Sequence, residues 1–263
     1  MSQPRSVLLL IGSPRIERSN SYVIGKFLID KLEEKGLVSE EAFATRSVKT
    51  HEGTERLLKS VDNADIIVLA TPLYVDSFPS PTIRALELIH EHRKAVLPTK
   101  SQLFVTIINS GFPEKEQMDI AFKIIRNFVQ ASNFTWGGGI RVGWGMALNN
   151  EPLNEKKGMT RKLTRGLSLA SINLSTGQPI SEKAEELAST LFIPLFMAKT
   201  MTRLFGNRNW NKLAKENNAD KKMYDRPYEL NRREADPESA LQGKSETQKK
   251  ADLQNNQGNW RKI

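Results

Sequence analysis

Three continuous apolar runs, each closed by a chain-breaking or polar residue and followed by a helical pattern, constrain this 263-residue chain more than any other feature. Residues 7–11 (VLLLI) stop at Gly12, residues 66–70 (IIVLA) run into Thr71-Pro72, and residues 103–108 (LFVTII) end at Asn109. Apolar runs without alternation are strands buried on both faces, as in parallel sheets whose crossovers are helices. After the first run, Ser19 or Asn20 caps a helix in which Tyr22, Phe27, Leu28 and Leu32 recur at helical spacing until Gly36. Residues 81–92 and 117–131 supply the helices after the second and third runs. A weaker strand is expected at 42–48, a short helix at 54–61 and a last strand at 135–142. Strands alternating with helices in this way predict a doubly wound α/β fold, a five-stranded parallel sheet with right-handed crossovers.

Near Asn149 the alternation stops. Two helical segments follow, 155–174 and 182–204, separated by the turn Gly177-Gln178-Pro179. In the second, Leu187, Leu191, Leu195, Ala198, Met201 and Phe205 form an apolar stripe, expected to pack on the α/β domain or on a second subunit rather than on lipid. From Arg232 onward large apolar residues are scarce, which predicts a disordered tail. The expected organisation is an α/β domain over 1–150, a helical extension over 151–231 and a polar tail over 232–263.

The chain has no cysteine, which removes thiolate metal sites, cluster ligands and cysteine nucleophiles; redox chemistry here needs an organic cofactor. The net charge of +9 is not concentrated: residues 207–263 hold 13 Lys and Arg against 9 Asp and Glu, and residues 1–206 hold 26 against 21. No nucleic-acid partner is therefore expected. The five apolar residues at 7–11 fall short of the roughly 7–15 of a signal-peptide core. No run approaches the 18 or so of a membrane span, so a cytoplasmic protein without integral membrane association is expected.

In an open parallel sheet the ligand site lies beyond the C-terminal ends of the strands. The first loop there, GSPRIERSNS, places Ser13, Ser19, Asn20 and Ser21 ahead of a helix N-terminus and adds the guanidinium groups of Arg15 and Arg18, a set suited to a phosphate. The same residues also suit an ordinary capped turn. The loop lacks both GxGxxG and GxxxxGK[ST], which argues against a dinucleotide Rossmann site and a nucleoside-triphosphate hydrolase. In the second loop, Pro72, Leu73, Tyr74 and Val75 offer an apolar surface with peptide groups for a planar ring, or plain packing. In the third, Asn109, Ser110 and Gly111 offer donors and close backbone approach, or a plain turn. No metal site is expected: His90 and His92, at i and i+2 of a helix, point to different faces.

GSPRIERSNS, ADIIVLATPLYVDSFPSP and VTIINSGF, at these separations, resemble the flavodoxin-like NADPH-dependent FMN reductases and NAD(P)H quinone reductases over roughly residues 5–148. The resemblance implies non-covalent FMN and NADPH or NADH as hydride donor. It places the phosphate role on Ser13, Arg15, Ser19, Asn20 and Ser21, the isoalloxazine role on Pro72, Leu73, Tyr74 and Val75, and the third-loop role on Asn109, Ser110 and Gly111. The stretch 136–146 (WGGGIRVGWGM) resembles the family's glycine-rich fifth strand, with glycines keeping the floor of the site open, though a flexible hairpin reads equally well. A homodimer or higher homo-oligomer is implied. The function expected is electron transfer from a nicotinamide through FMN to a quinone, free flavin or similar small planar acceptor, with no catalytic side chain. A flavodoxin-like electron carrier without nicotinamide chemistry is the alternative.

Overall fold

The computed structural model describes residues 5–155, 158–192, 194, 196–197, 200, 207–222 and 225. The apolar runs become β1 (Ser6–Ile11), β3 (Ile66–Pro72) and β4 (Leu103–Asn109), the last two buried along their whole length. With β2 (Val38–Phe43) and β5 (Thr135–Val142) they form one parallel sheet in the order β2-β1-β3-β4-β5. This is the flavodoxin-like order, whose switch point lies between β1 and β3.

The helices are α1 (Asn20–Glu33), α2 (Ala44–Ser47), α3 (His51–Asn63), α4 (Ser80–Ala95), α5 (Asp119–Ala131), α6 (Arg161–Ser175), α7 (Glu182–Ala188) and α8 (Asn207–Glu216). Ser19 is the N-cap of α1, its hydroxyl accepting from Tyr22 N. One core joins α1, α6 and α7 to one face of the sheet, and a second joins α3, α4 and α5 to the other. The second strand lies earlier than expected, because Ala44 and Ser47, three residues apart, bury one side of a helical turn and end the extended backbone at Phe43.

The chain divides into two compact units, 1–201 and 202–263. The sheet and α1–α7 belong to the first. Within it α6 packs on α1 and α7, and Gly166 lets two helices meet, since a Cβ there would lie 2.3 Å from Ala188 N. The segment around α7 also closes the free edge of β5: Ile180 N donates to Gly137 O (2.8 Å), Gly139 N to Glu185 Oε1 (2.6 Å) and Arg141 N to Ser189 Oγ (3.0 Å). An open edge is a template for unwanted pairing, and here it is covered by the chain's own continuation.

Three further expectations change. The helix expected over 155–174 is α6, which begins only at Arg161. The helix predicted over 182–204 ends at Ala188, where Ser189 turns its hydroxyl to β5 and Ser189 N closes the last turn on Glu185 O. Leu195, Ala198, Met201 and Phe205 of the expected stripe, and the tail over 232–263, lie outside the described residues. The glycines of β5 do not form the floor of a site. A Cβ on Gly137 would meet Val105 (2.8 Å), one on Gly138 would meet Glu185 and Ile180, and one on Gly139 would meet the Phe122 ring (2.3 Å), so they admit α5 and the extension.

Candidate functional site

Beyond the C-terminal ends of β1, β3, β4 and β5 lies an open cleft of about 190 Å³. Ser13, Arg15, Ser19, Asn20, Ser21, Pro72, Leu73, Tyr74, Asn109 and Gly111 line it, together with Met146 and Asn150. Ten of the thirteen residues expected from sequence are thus brought together. Arg18, Val75 and Ser110 do not line the cleft: Val75 is 97% exposed at a turn tip, and Ser110 is buried in bonds to Val142 O, Phe112 N and Gly145 N.

The donors in the first loop are engaged otherwise than their residue types indicate. Ser19 Oγ caps Tyr22 N and donates to Ile16 O (2.6 Å). Asn20 donates through Nδ2 to Gly145 O (2.7 Å) and accepts from Asn150 N through Oδ1 (2.8 Å). Ser21 Oγ donates to Asn109 Oδ1 across a buried 2.6 Å contact. These three side chains build the loop and leave other groups to meet a ligand. The N–H groups of Asn20 and Ser21, at the positive end of α1, have no acceptor among the described residues. Ser13 Oγ accepts only a long 3.3 Å bond from Arg15 N, which leaves its proton to donate, and Arg15 forms no ion pair among the described residues. Glu17, by contrast, is held by Arg46 at 2.9 Å. Behind the first turn of α1, burial and then the Glu41 carboxylate raise the Tyr22 phenol pKa, keeping it neutral.

Asn109 ties the loops together. Its side chain accepts from Ser21 of the first loop, its carbonyl accepts from Leu73 N of the second (2.9 Å), and a Cβ on Gly145 of the fourth would lie 3.3 Å from its Nδ2. The second loop ends in a tight reversal, Tyr74 N to Ser77 O at 2.8 Å and Ser77 N to Tyr74 O at 3.2 Å, with Val75 and Asp76 both at positive φ (47° and 62°) as a type I′ turn requires. A β-branched Val in that region is strained, as is Ile16 (φ 47°) in the first loop. Met146 and Asn150 were missed by the sequence reading. The available signal was the loop after β5, which the same strand-end rule marks, and the Asn149-Asn150 pair, both of which adopt positive φ.

The donor set fits an FMN. Two helix N-terminal amides, a hydroxyl and a guanidinium suit the phosphate, the Pro72-Leu73-Tyr74 backbone and side chains suit a planar ring, and the space around Gly111, empty within 4 Å of a Cβ, admits close approach. Residues 5–133 match the model of the NADPH-dependent FMN reductase family. The α/β part of this chain is thus similar to that family. No curated protein matches the chain. Among solved structures, a candidate quinone reductase from Klebsiella pneumoniae superposes with a TM-score of 0.51 at 13% identity, covering 67% of this chain and 87% of that one. An FMN-dependent NADH-azoreductase from Bacillus anthracis (Ames Ancestor), in complex with FMN, gives 0.48 at 16%, covering 65% and 100%. At such identity the first likeness shows the flavodoxin-like fold. FMN-dependent oxidoreduction with a nicotinamide donor is supported by the family model that the α/β part matches.

Proposed function

We propose that the chain holds FMN non-covalently in this cleft, oxidises NADPH or NADH, and passes the electrons to a quinone, a free flavin or a similar planar acceptor. The observation that carries the reading is the convergence of four strand-end loops at the β1/β3 switch point on one donor set: the N-terminal amides of α1, Ser13 and Arg15 at one end and Pro72-Leu73-Tyr74 at the other. When bound, FMN supplies hydride acceptance and release at its ring. The protein's part is placement. The peptide N–H groups of Asn20 and Ser21 hold the phosphate, aided by Arg15 and Ser13. Ser19, Asn20, Ser21 and Asn109 act through their own hydrogen bonds to fix the loops, and no side chain serves as acid or nucleophile. Tyr74 and Met146, 46% and 62% exposed, border the open side, where nicotinamide and acceptor bind in turn.

A second copy of the chain is proposed to cover the apolar groove between α4 and α5, about 400 Å³, where Phe78, Ile83, Leu86, Ile124 and Phe128 line a surface continuous with Ser77 of the second loop. Light scattering that finds only monomer removes that part alone. The activity is tested by anaerobic mixing of FMN-loaded protein with NADPH. Rapid bleaching of the flavin's visible absorption, with recovery on adding a quinone, is expected. FMN that binds but does not bleach indicates an electron carrier, and failure to bind FMN overturns the reading.

A further inference from the structure

On α8, Trp210, Leu213, Ala214 and Asn217 follow the i, i+3, i+4, i+7 spacing of one helix face and line an apolar concavity of about 330 Å³, closed on its far side by Ala219 and Lys222. The chain doubles back to form it: Ala219 N donates to Ala214 O (2.8 Å) and Asn218 takes φ 53°, a left-handed helix stop. Trp210 is 62% exposed and Leu213 53%, so this face has little cover. At about 100° per residue, Arg208, Lys212 and Lys215 fall on the opposite face. Lys212 meets Glu216 at 3.8 Å, while Arg208 and Lys215 form no ion pair among the described residues. The surrounding sequence repeats the combination: from Leu191 to Lys215 there are five Lys and Arg and no acidic residue, and Phe196, 70% exposed, adds an aromatic.

We infer that α8 and its return turn seat on an anionic lipid surface, making this a peripheral membrane protein through its C-terminal unit. An RNA would use the cations and leave the Trp210–Leu213 face in water. A protein groove would take the apolar face but has no need of the cationic excess, five Lys and Arg against Glu216 and Asp220 over 207–222. A headgroup layer uses both: the indole and leucine enter at the depth where tryptophan is favoured, and the cations on the far face are drawn by the negative potential of the surface. A helix about 10 Å across keeps its basic residues within roughly one Debye length of the surface, so even the far face contributes. No helix among the described residues is long and apolar enough to cross a membrane, and none is needed for this attachment.

The test is co-sedimentation of the full chain with phosphatidylcholine vesicles, with and without phosphatidylglycerol, across a salt series. Binding is expected only with phosphatidylglycerol and is expected to fade as salt rises. The triple variant R208Q/K212Q/K215Q should lower the partition coefficient about fivefold to tenfold, from about 1 kcal/mol per basic residue at a charged surface cut to about a third at one Debye length. Trp210→Ser should lower it about tenfold, and circular dichroism should match that of the parent for both variants. Equal binding to both vesicle types, no binding to either, or undiminished binding by the triple variant overturns the inference. So does salt-sensitive binding to RNA that persists in Trp210→Ser while vesicles are ignored. None of these readouts involves FMN, so the outcome is independent of the cleft's function.

Discussion

At the N-terminal ends of β3 and β4 a buried guanidinium and its partners tie loops of mostly relaxed backbone; at the C-terminal ends short polar side chains tie loops whose backbone is held at positive φ. Arg93, fully buried at the end of α4, donates to the carbonyls of Ser132 and Asn133 and to the Gln102 side chain, with its guanidinium 3.8 Å from the Phe134 ring centroid. Gln102 in turn donates to Val61 O and Ala64 O, both at 2.6 Å, and Asp65 takes Ser6 N and Lys100 Nζ. Burial lowers the Arg93 pKa, against the opposing charge of Asp62, and carbonyl acceptors, Gln102 and a ring face satisfy the guanidinium with no ion pair among the described residues. At the other end Ile16, Val75, Asp76, Trp144, Asn149 and Asn150 all sit at positive φ. Such conformations cost on the order of 1 kcal/mol or more each for residues other than Gly and Asn, and they gather where the cleft is. One end holds the fold; the other stores strain to present peptide groups to a ligand.

The sharpest way to break this contrast is Arg93→Met, which leaves two carbonyls and the Gln102 Oε1 unpaired in the interior. A loss of about 3 kcal/mol or more is expected, seen as a Tm fall of several degrees, while FMN affinity of the folded protein at low temperature stays unchanged. Asn109→Ala inverts the pattern: it frees Ser21 and removes the side chain that joins the first and third loops, while the backbone bond from Leu73 N stays, so FMN affinity should weaken about tenfold or more, with a Tm loss smaller than that of Arg93→Met. Val75→Asn keeps the exposed turn but replaces a β-branched residue with one that tolerates positive φ, so denaturant unfolding should show a gain of about 0.5–1 kcal/mol. The smallest effect concerns Asp65. Burial would raise its pKa, but the hydrogen bonds from Lys100 and Ser6 outweigh burial and lower it. A depressed folded-state pKa gives stability that is present above the unfolded value and lost as pH falls through the folded one. Asp65→Asn should therefore cost about 0.5 kcal/mol at neutral pH, the pair being partly exposed, and progressively less in acid below about pH 4, read from urea midpoints.

Much of the α/β part was legible because buried parallel strands are written as unbroken apolar runs: residues 66–70 and 103–108 lie within β3 and β4, and 135–142 coincides with β5. The strand-end rule likewise located the cleft. What could not be read was the use of each donor. Ser19, Asn20 and Ser21 resemble ligand-binding side chains in sequence, but their partners, Ile16 O, Gly145 O and Asn109 Oδ1, include groups 125 and 88 residues away that only folding brings near. The glycines of β5 were misread for a related reason: Phe122, Ile180 and Glu185, which require them to lack a Cβ, come from elements remote in the chain. The extension's role along β5 depends on side-chain acceptors, Glu185 and Ser189, that leave no periodic signal.

The cleft at the switch point is the proposed flavin site, with the peptide amides of α1 holding the phosphate. Titrating the purified, flavin-free chain into FMN and following flavin fluorescence tests this most directly, with Asn109→Ala measured alongside. Saturable quenching at one FMN per chain, weakened in the variant, is the predicted result. Unquenched fluorescence at protein concentrations well above the flavin's, or quenching equally strong in Asn109→Ala, contradicts it.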